Sequence, residues 1–222
     1  MLAESLISPH LPFLETHLLV SEAYERFDRA GTGELPLINQ EEEVIAVLER
    51  KVLEVSASPE QTLEDVSLQH FTKATIRANQ HVFDVIRVMN EFELNLLPVV
   101  NNDNYFVGCI KKDTAFHYLN NWLTLSEPGS IVVLETKWVN YSLKEIASIV
   151  ESNGLHIMGC LLTRVPNTEQ LYVTLKLNEA TAPSVVQAFE RYSYTIHYTY
   201  FIDGSQNLAQ DHYDALMRYL EI

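Results

Sequence analysis

Leu96-Leu97-Pro98-Val99-Val100-Asn101-Asn102-Asp103-Asn104-Tyr105-Phe106-Val107-Gly108-Cys109-Ile110, followed by Lys111-Lys112-Asp113, reads as strand, turn, strand and helix start. Two apolar runs flank Asn101 to Asn104, residues suited to the tight geometry of a short hairpin loop, so the strands are expected to pair antiparallel. Pro98 has no N–H to give a ladder and belongs at a strand start or an edge. Gly108 inside the second strand marks a close approach of another backbone or of a ligand, which makes a groove beside it the first place to look for chemistry.

The same hairpin occurs earlier. Sliding the sequence by 62 residues lays Leu35-Pro36-Leu37-Ile38-Asn39 on Leu97-Pro98-Val99-Val100-Asn101 and Ala46 on Gly108. Val20, Ala23, Tyr24 and Phe27 fall on Val82, Val85, Ile86 and Met89, which gives both copies apolar residues at the spacing of one helical face. Each copy therefore reads as strand, helix, two strands, helix. In the first these lie near 13–16, 20–30, 34–39, 43–48 and 50–56; in the second near 74–77, 81–93, 96–101, 105–110 and 111–123. Between them Pro59 follows Ser58, as at a helix N1 position, and predicts a connecting helical turn. One copy cannot bury both faces of its sheet, but two packed together can.

Thr124-Leu125-Ser126-Glu127-Pro128-Gly129 is a turn-forming linker and the best domain boundary. Beyond it Ile131-Val132-Val133-Leu134 reads as a strand, and Leu143, Ile146, Ala147 and Val150 as a helical stripe ended by Asn153-Gly154. Strands at 155–165 and 169–177, a helix at 182–191 and a strand at 193–202 complete a β-α-β-β-α-β order, the ferredoxin-like split unit. In the last strand Tyr194, Ile196, Tyr198 and Tyr200 alternate onto one face, expected to be core or interface. The tail from 207 to 222 places Leu208, His212, Ala215, Leu216, Tyr219 and Leu220 on one helical face, which predicts a docking helix. The expected domains are thus 1–56, 57–125, 130–202 and 203–222, in a mixed α/β (α+β) fold.

The formal net charge is −15 over 222 residues, with 14 acidic against 4 basic side chains in residues 1–70. Phosphate backbones and anionic membrane surfaces are read chiefly through Lys and Arg, so neither nucleic acid nor a membrane is an expected partner. No apolar run of membrane-spanning length and no signal peptide is present, which predicts a cytoplasmic protein. Cys109 and Cys160, in apolar strands without a CxxC partner, are expected to be buried free thiols. The histidines form no ligand cluster, so no metal is expected. The dense run Glu41-Glu42-Glu43 is a solvated hairpin turn.

A pair of β-α-β-β-α units carrying Leu-Pro-Val-Val-Asn, then Phe-Val-Gly-Cys-Ile, then a polar helix start resembles a tandem of CBS domains over residues 8–123. The β-α-β-β-α-β unit behind it is similar to an ACT domain, and the whole resembles the CBS-plus-ACT proteins related to the acetoin-utilisation regulatory protein. The resemblance implies that an adenine nucleotide or another small anionic metabolite binds between the repeats, with Thr75, Ile76, Pro98, Gly108, Lys111, Asp113 and Thr114 as its site.

In nucleotide-binding members a Thr or Ser stands three residues after the glycine and an Asp six after it, for phosphate at a helix N-terminus and for the ribose hydroxyls. Here those positions hold Lys111 and Thr114, with Asp113 one residue early, and in the first repeat Glu49 and Val52. Glu49 would repel a phosphate and Val52 cannot accept from a ribose. Lysines at a helix start oppose its dipole, so Lys111 and Lys112 point to an anion nearby. ACT domains that bind amino acids carry an Asp-x-Pro-Gly turn after the first strand. Thr136 to Tyr141 offers no glycine there for a ligand carboxylate to approach, which argues against amino-acid sensing.

Phosphate-loop, dinucleotide, zinc-protease and nucleophile-elbow motifs are all missing, and Gly31-Thr32-Gly33 runs into a strand rather than a helix. The expected function is non-catalytic regulation in a homodimer with no cofactor. The alternative is a ligand-free scaffold that dimerises or binds another protein.

Overall fold

Apolar runs of five and six residues joined by an Asn-led turn build the same hairpin twice. The structure, a computed structural model, describes residues 1–8 and 11–202. Two units result, Met1–Leu119 and Asn120–Ile222. In the first, β1 (Leu14–Glu15), α1 (Val20–Ala30), β2 (Glu34–Ile38), β3 (Val44–Glu49) and α2 (Arg50–Ser56) are followed by β4 (Ile76–Arg77), α3 (Val82–Glu91), β5 (Leu96–Val100), β6 (Phe106–Lys111) and α4 (Lys112–Trp122). Every element of the second set starts 62 residues after its counterpart, and so does the pairing. Leu14 lies opposite Leu37 as Ile76 lies opposite Val99, and Leu37 opposite Ala46 as Val99 lies opposite Gly108.

The hairpin turns repeat atom for atom. Asn39 Oδ1 accepts from the N–H groups of Glu41 and Glu43 at 3.0 and 2.8 Å, and Asn101 Oδ1 from those of Asp103 and Tyr105 at 2.9 and 3.0 Å. Glu42 (φ 62°) and Asn104 (φ 68°) take the left-handed conformation within the turns, and each ladder slips by one residue beyond them, at Ile45 and at Val107. Glu43 and Tyr105, equivalent positions, pair antiparallel with each other. An antiparallel bridge between equivalent residues is what a local twofold between the halves produces.

Each sheet closes against its own helices around a separate core. Leu14, Val20, Phe27, Leu35, Leu37, Leu48 and Leu53 are buried in the first, and Ile76, Val82, Val85, Leu97, Val99 and Ile110 in the second. Burying a side chain of this size contributes about 1.5–3 kcal/mol. Helix ends are fixed locally: Glu22 accepts from the Leu19 N–H at 2.8 Å at the start of α1, and Gly31 (φ 60°) ends it.

The segments that precede the repeats are exchanged. Residues 1–8 pack on the second repeat, where Ala3 N–H donates to Gln80 O, Glu4 N–H to Ala78 O and Ser8 N–H to Cys109 O, and Ala3 and Leu6 join its core. The linker packs back on the first repeat, with Leu63 N–H donating to Leu18 O, Glu64 N–H to Thr16 O and Val47 N–H to Thr72 O. The connecting turn expected at Pro59 is displaced. Pro59 follows Ser58 in a turn closed by Gln61 N–H to Ser58 O at 3.1 Å, and the helical turns are 3-10 and lie at Leu63–Asp65 and Leu68–His70. Proline's fixed φ suits the second position of a turn as well as a helix start.

In the second unit β7 (Ile131–Lys137), α5 (Leu143–Ser152), β8 (Ile157–Arg164), β9 (Gln170–Leu177), α6 (Pro183–Arg191) and β10 (Thr195–Tyr200) form an antiparallel sheet ordered β10-β7-β9-β8. This is the ferredoxin-like arrangement, with Val132, Leu134, Val173 and Leu175 of the sheet buried in one core with Ile146, Val150, Val185 and Phe189 of the two helices. Ser142 Oγ caps α5 and Gly154 (φ 78°) follows its end.

The aromatic strand departs from strict alternation. Its register shifts between Ile196 and Tyr198, so Tyr194 and Ile196 pack on the core whereas Tyr198 and Tyr200 are exposed and Thr199 is buried. The bulged residue is His197, whose ring lies 4.4 Å from that of Tyr172. The tail helix expected over 207–222 lies outside the described residues.

Cys109 is buried, and burial pushes its thiol up to about 12. Cys160 is only half-buried, contrary to expectation, because it stands on the edge strand β8; desolvation still raises its thiol. A thiol reagent at pH 8 should therefore label Cys160 slowly and Cys109 not at all until urea is added. Equal labelling of both in the folded protein would contradict this burial.

Candidate functional site

The structure distributes the seven residues expected to hold a ligand over several places. Ile76 and Pro98 are buried inside β4 and β5, where their side chains belong to the sheet. Lys111 ends β6 opposite Leu96, and Asp113 and Thr114 stand in the first turn of α4. That helix begins at Lys112, as α2 begins at Arg50, and both first N–H groups are taken, by Asn95 O at 2.8 Å and Gly33 O at 2.9 Å. With the helix starting at Lys112, Asp113 is its second residue and Thr114 its third.

Gly108 is indeed a point of close approach, but the neighbour is the chain's own N-terminal segment. A Cβ at Gly108 (φ 146°) would lie 2.5 Å from Ile7 Cγ2, and Ser8 continues as the antiparallel neighbour of Cys109. Ile7 thus fills the groove in which a ligand was looked for. Sequence reading missed it because Ile7 and Gly108 are joined by no local pattern.

Thr75 is in a different position. It lines a cleft of ≈ 390 Å³ with Glu43, Val44, Lys73, Val100 and Asn104, where the two hairpins meet. Val44 and Val100 supply an apolar wall. Lys73 brings an ammonium, Thr75 and Asn104 bring a hydroxyl and an amide, and Glu43 brings a carboxylate that accepts from Asn39 Nδ2 at 3.1 Å, so the cleft offers an anion three donors beside one negative group. Of the seven expected residues only Thr75 is among these six. Lys73 was legible as a base two residues before Thr75, but nothing in the sequence tied it to the hairpin tips.

A second cleft in the same unit, of ≈ 360 Å³, is lined by Thr16, Leu37, Asn39, Gln40, Glu41, Ile45, Leu63, Glu64 and Leu68. Its only charged lining groups, Glu41 and Glu64, are carboxylates, so it repels anions. A cavity of the second unit, ≈ 570 Å³, lies over the turn after β7 and is lined by residues including Glu135, Lys137, Asn140 and Glu169. Its charged groups are engaged within the cavity: Gln170 Nε2 donates to Glu135 Oε1 at 2.7 Å, and Lys137 Nζ stands 3.7 Å from Glu169 Oε2.

Residues 63–121 match the family model of the CBS domain, which covers the second repeat. The first repeat has the same elements in the same register, which makes the unit a pair. No curated protein sequence matches the chain. Among solved structures, the CBS domains of a transcriptional regulator from Streptococcus pneumoniae are similar at 18% identity and a TM-score of 0.47, over 53% of this chain and 98% of that one. A CBS domain pair/ACT domain protein from Thermotoga maritima is similar at 17% identity and a TM-score of 0.48, over 55% and 98%. CBSX2 in complex with AMP is similar at 16% identity and a TM-score of 0.44, over 54% and 96%. No helix among the described residues is long and apolar enough to cross a membrane.

Proposed function

We propose that this is a non-catalytic regulatory protein whose CBS pair senses a small anionic metabolite, an adenine nucleotide being the first to test, in the cleft lined by Lys73 and Thr75. The second unit serves as an ACT-like module in a cytoplasmic homodimer. The observation that supports this reading is the cleft itself: it joins residues of both repeats around one ammonium, two neutral donors and the Glu43 carboxylate, which Asn39 Nδ2 holds at 3.1 Å. A ligand there touches both hairpins at once, so it stabilises one arrangement of the halves, and it regulates to the extent that it prefers that arrangement over another.

The expected result is a rise in melting temperature with AMP. At a concentration of 100 times Kd, mass action gives about 2.7 kcal/mol of stabilisation. Lys73→Met and Thr75→Val should each remove most of the rise. If Lys111→Ala or Asp113→Ala removes it instead, the ligand sits at the start of α4. A flat response to millimolar AMP, ADP and ATP favours the second reading, a scaffold without ligand, which the filling of the Gly108 groove by Ile7 supports.

A further inference from the structure

The twofold that relates the repeats generates a second cleft from the one at Thr75, and the two are not alike. Adding or subtracting 62 converts Thr75 into Phe13, Val44 into Phe106 and Lys73 into Leu11. At the second location stands an aromatic pair: the rings of Phe13, itself 36% exposed, and Phe106 meet edge to face with centroids 5.6 Å apart. The main chain at Phe13 is held by Arg26, which donates to the Phe13 carbonyl oxygen at 2.5 Å and to Glu15 at 2.9 Å. The residue equivalent to Arg26 in the other repeat is Val88, which makes no such bond.

We infer that the CBS pair is a one-site receptor: the Phe13–Phe106 pair permanently occupies one of the twofold-related clefts, and a single anionic ligand enters the other. Three changes of side chain achieve this together. The phenylalanines take the volume, and Leu11 takes away the cation that an anion would need. The ligand half of this inference rests on the proposed function; the packing half does not.

The test moves the aromatic pair from one cleft to the other in the full-length chain. Thr75→Phe with Val44→Phe should fit the open cleft as Phe13 and Phe106 fit theirs, so the melting temperature is unchanged or raised and AMP no longer binds. Leu11→Lys with Phe13→Thr and Phe106→Val should create a second cleft, and calorimetric titration with AMP should give two sites per chain against one for the unaltered protein.

A melting temperature lowered by the Thr75→Phe, Val44→Phe double substitution means the ring pair does not fit, and the inference falls. It also falls if the unaltered chain binds two AMP molecules. No AMP binding by the unaltered chain removes the nucleotide reading alone, and the melting temperature of the double variant still decides the packing.

Discussion

Replacing Glu34 by leucine, the residue its repeat partner Leu96 already is, should lower the stability of the first unit by about 3 kcal/mol. Glu34 is 7% exposed, and its carboxylate accepts three hydrogen bonds. Oε2 receives the N–H groups of Asn95 and Leu96 at 2.7 and 3.0 Å, and Oε1 receives Asn95 Nδ2 at 2.6 Å. Leucine would leave the buried Leu96 N–H without an acceptor, costing about 1–3 kcal/mol, and would also remove the two part-buried bonds from Asn95. Glu34→Gln keeps one oxygen but turns an NH₂ toward donors, so it should fall between. Urea unfolding followed by a probe in residues 1–119 measures this. A loss below about 1 kcal/mol for leucine would show that water replaces the carboxylate.

Gly129→Ala should destabilise the second unit by a similar amount, about 3 kcal/mol. A Cβ there would lie 2.1 Å from Leu177 O, a main-chain atom that cannot rotate away. Leu177 is held by its own N–H, which donates to Ser130 O at 2.9 Å, and by the ladder that sets Ile131 opposite Lys176. The strain must therefore open the start of β7. Gly33→Ala is the control, since a Cβ there meets nothing within 4 Å, and should change stability by less than about 0.5 kcal/mol. Equal effects of the two would contradict the packing around Leu177.

The repeat was readable in the sequence because its signals are local and come twice. Pro36 and Pro98, Asn39 and Asn101, and the helical stripes of α1 and α3 each act within a few residues, and an ungapped offset carried the register of every strand with them. The ferredoxin-like order of the second unit was legible for the same reason. Contacts between distant segments were not. Ile7 against Gly108, Lys73 beside the hairpin tips, and Phe13 on Phe106 depend on how the halves come together, which hydrophobic period cannot express. The bulge at His197 was hidden because the alternating pattern runs through it unbroken, and only pairing with β7 reveals the slip.

The exchange of leading segments sets an order of events during synthesis. The first repeat can close as soon as residues 61–72 have been made, whereas residues 1–8 find main-chain partners only at residues 78–82 and, for Ser8, at Cys109, and the core that Ala3 and Leu6 enter is not complete before Ile110. At about 5–20 residues per second, Ala3 and Leu6 spend roughly 5–20 s with no complete core to enter. A nascent chain stalled before residue 109 should therefore hold a folded first repeat and a protease-sensitive leading segment, so this unit matures from its middle outward rather than from its first residue onward.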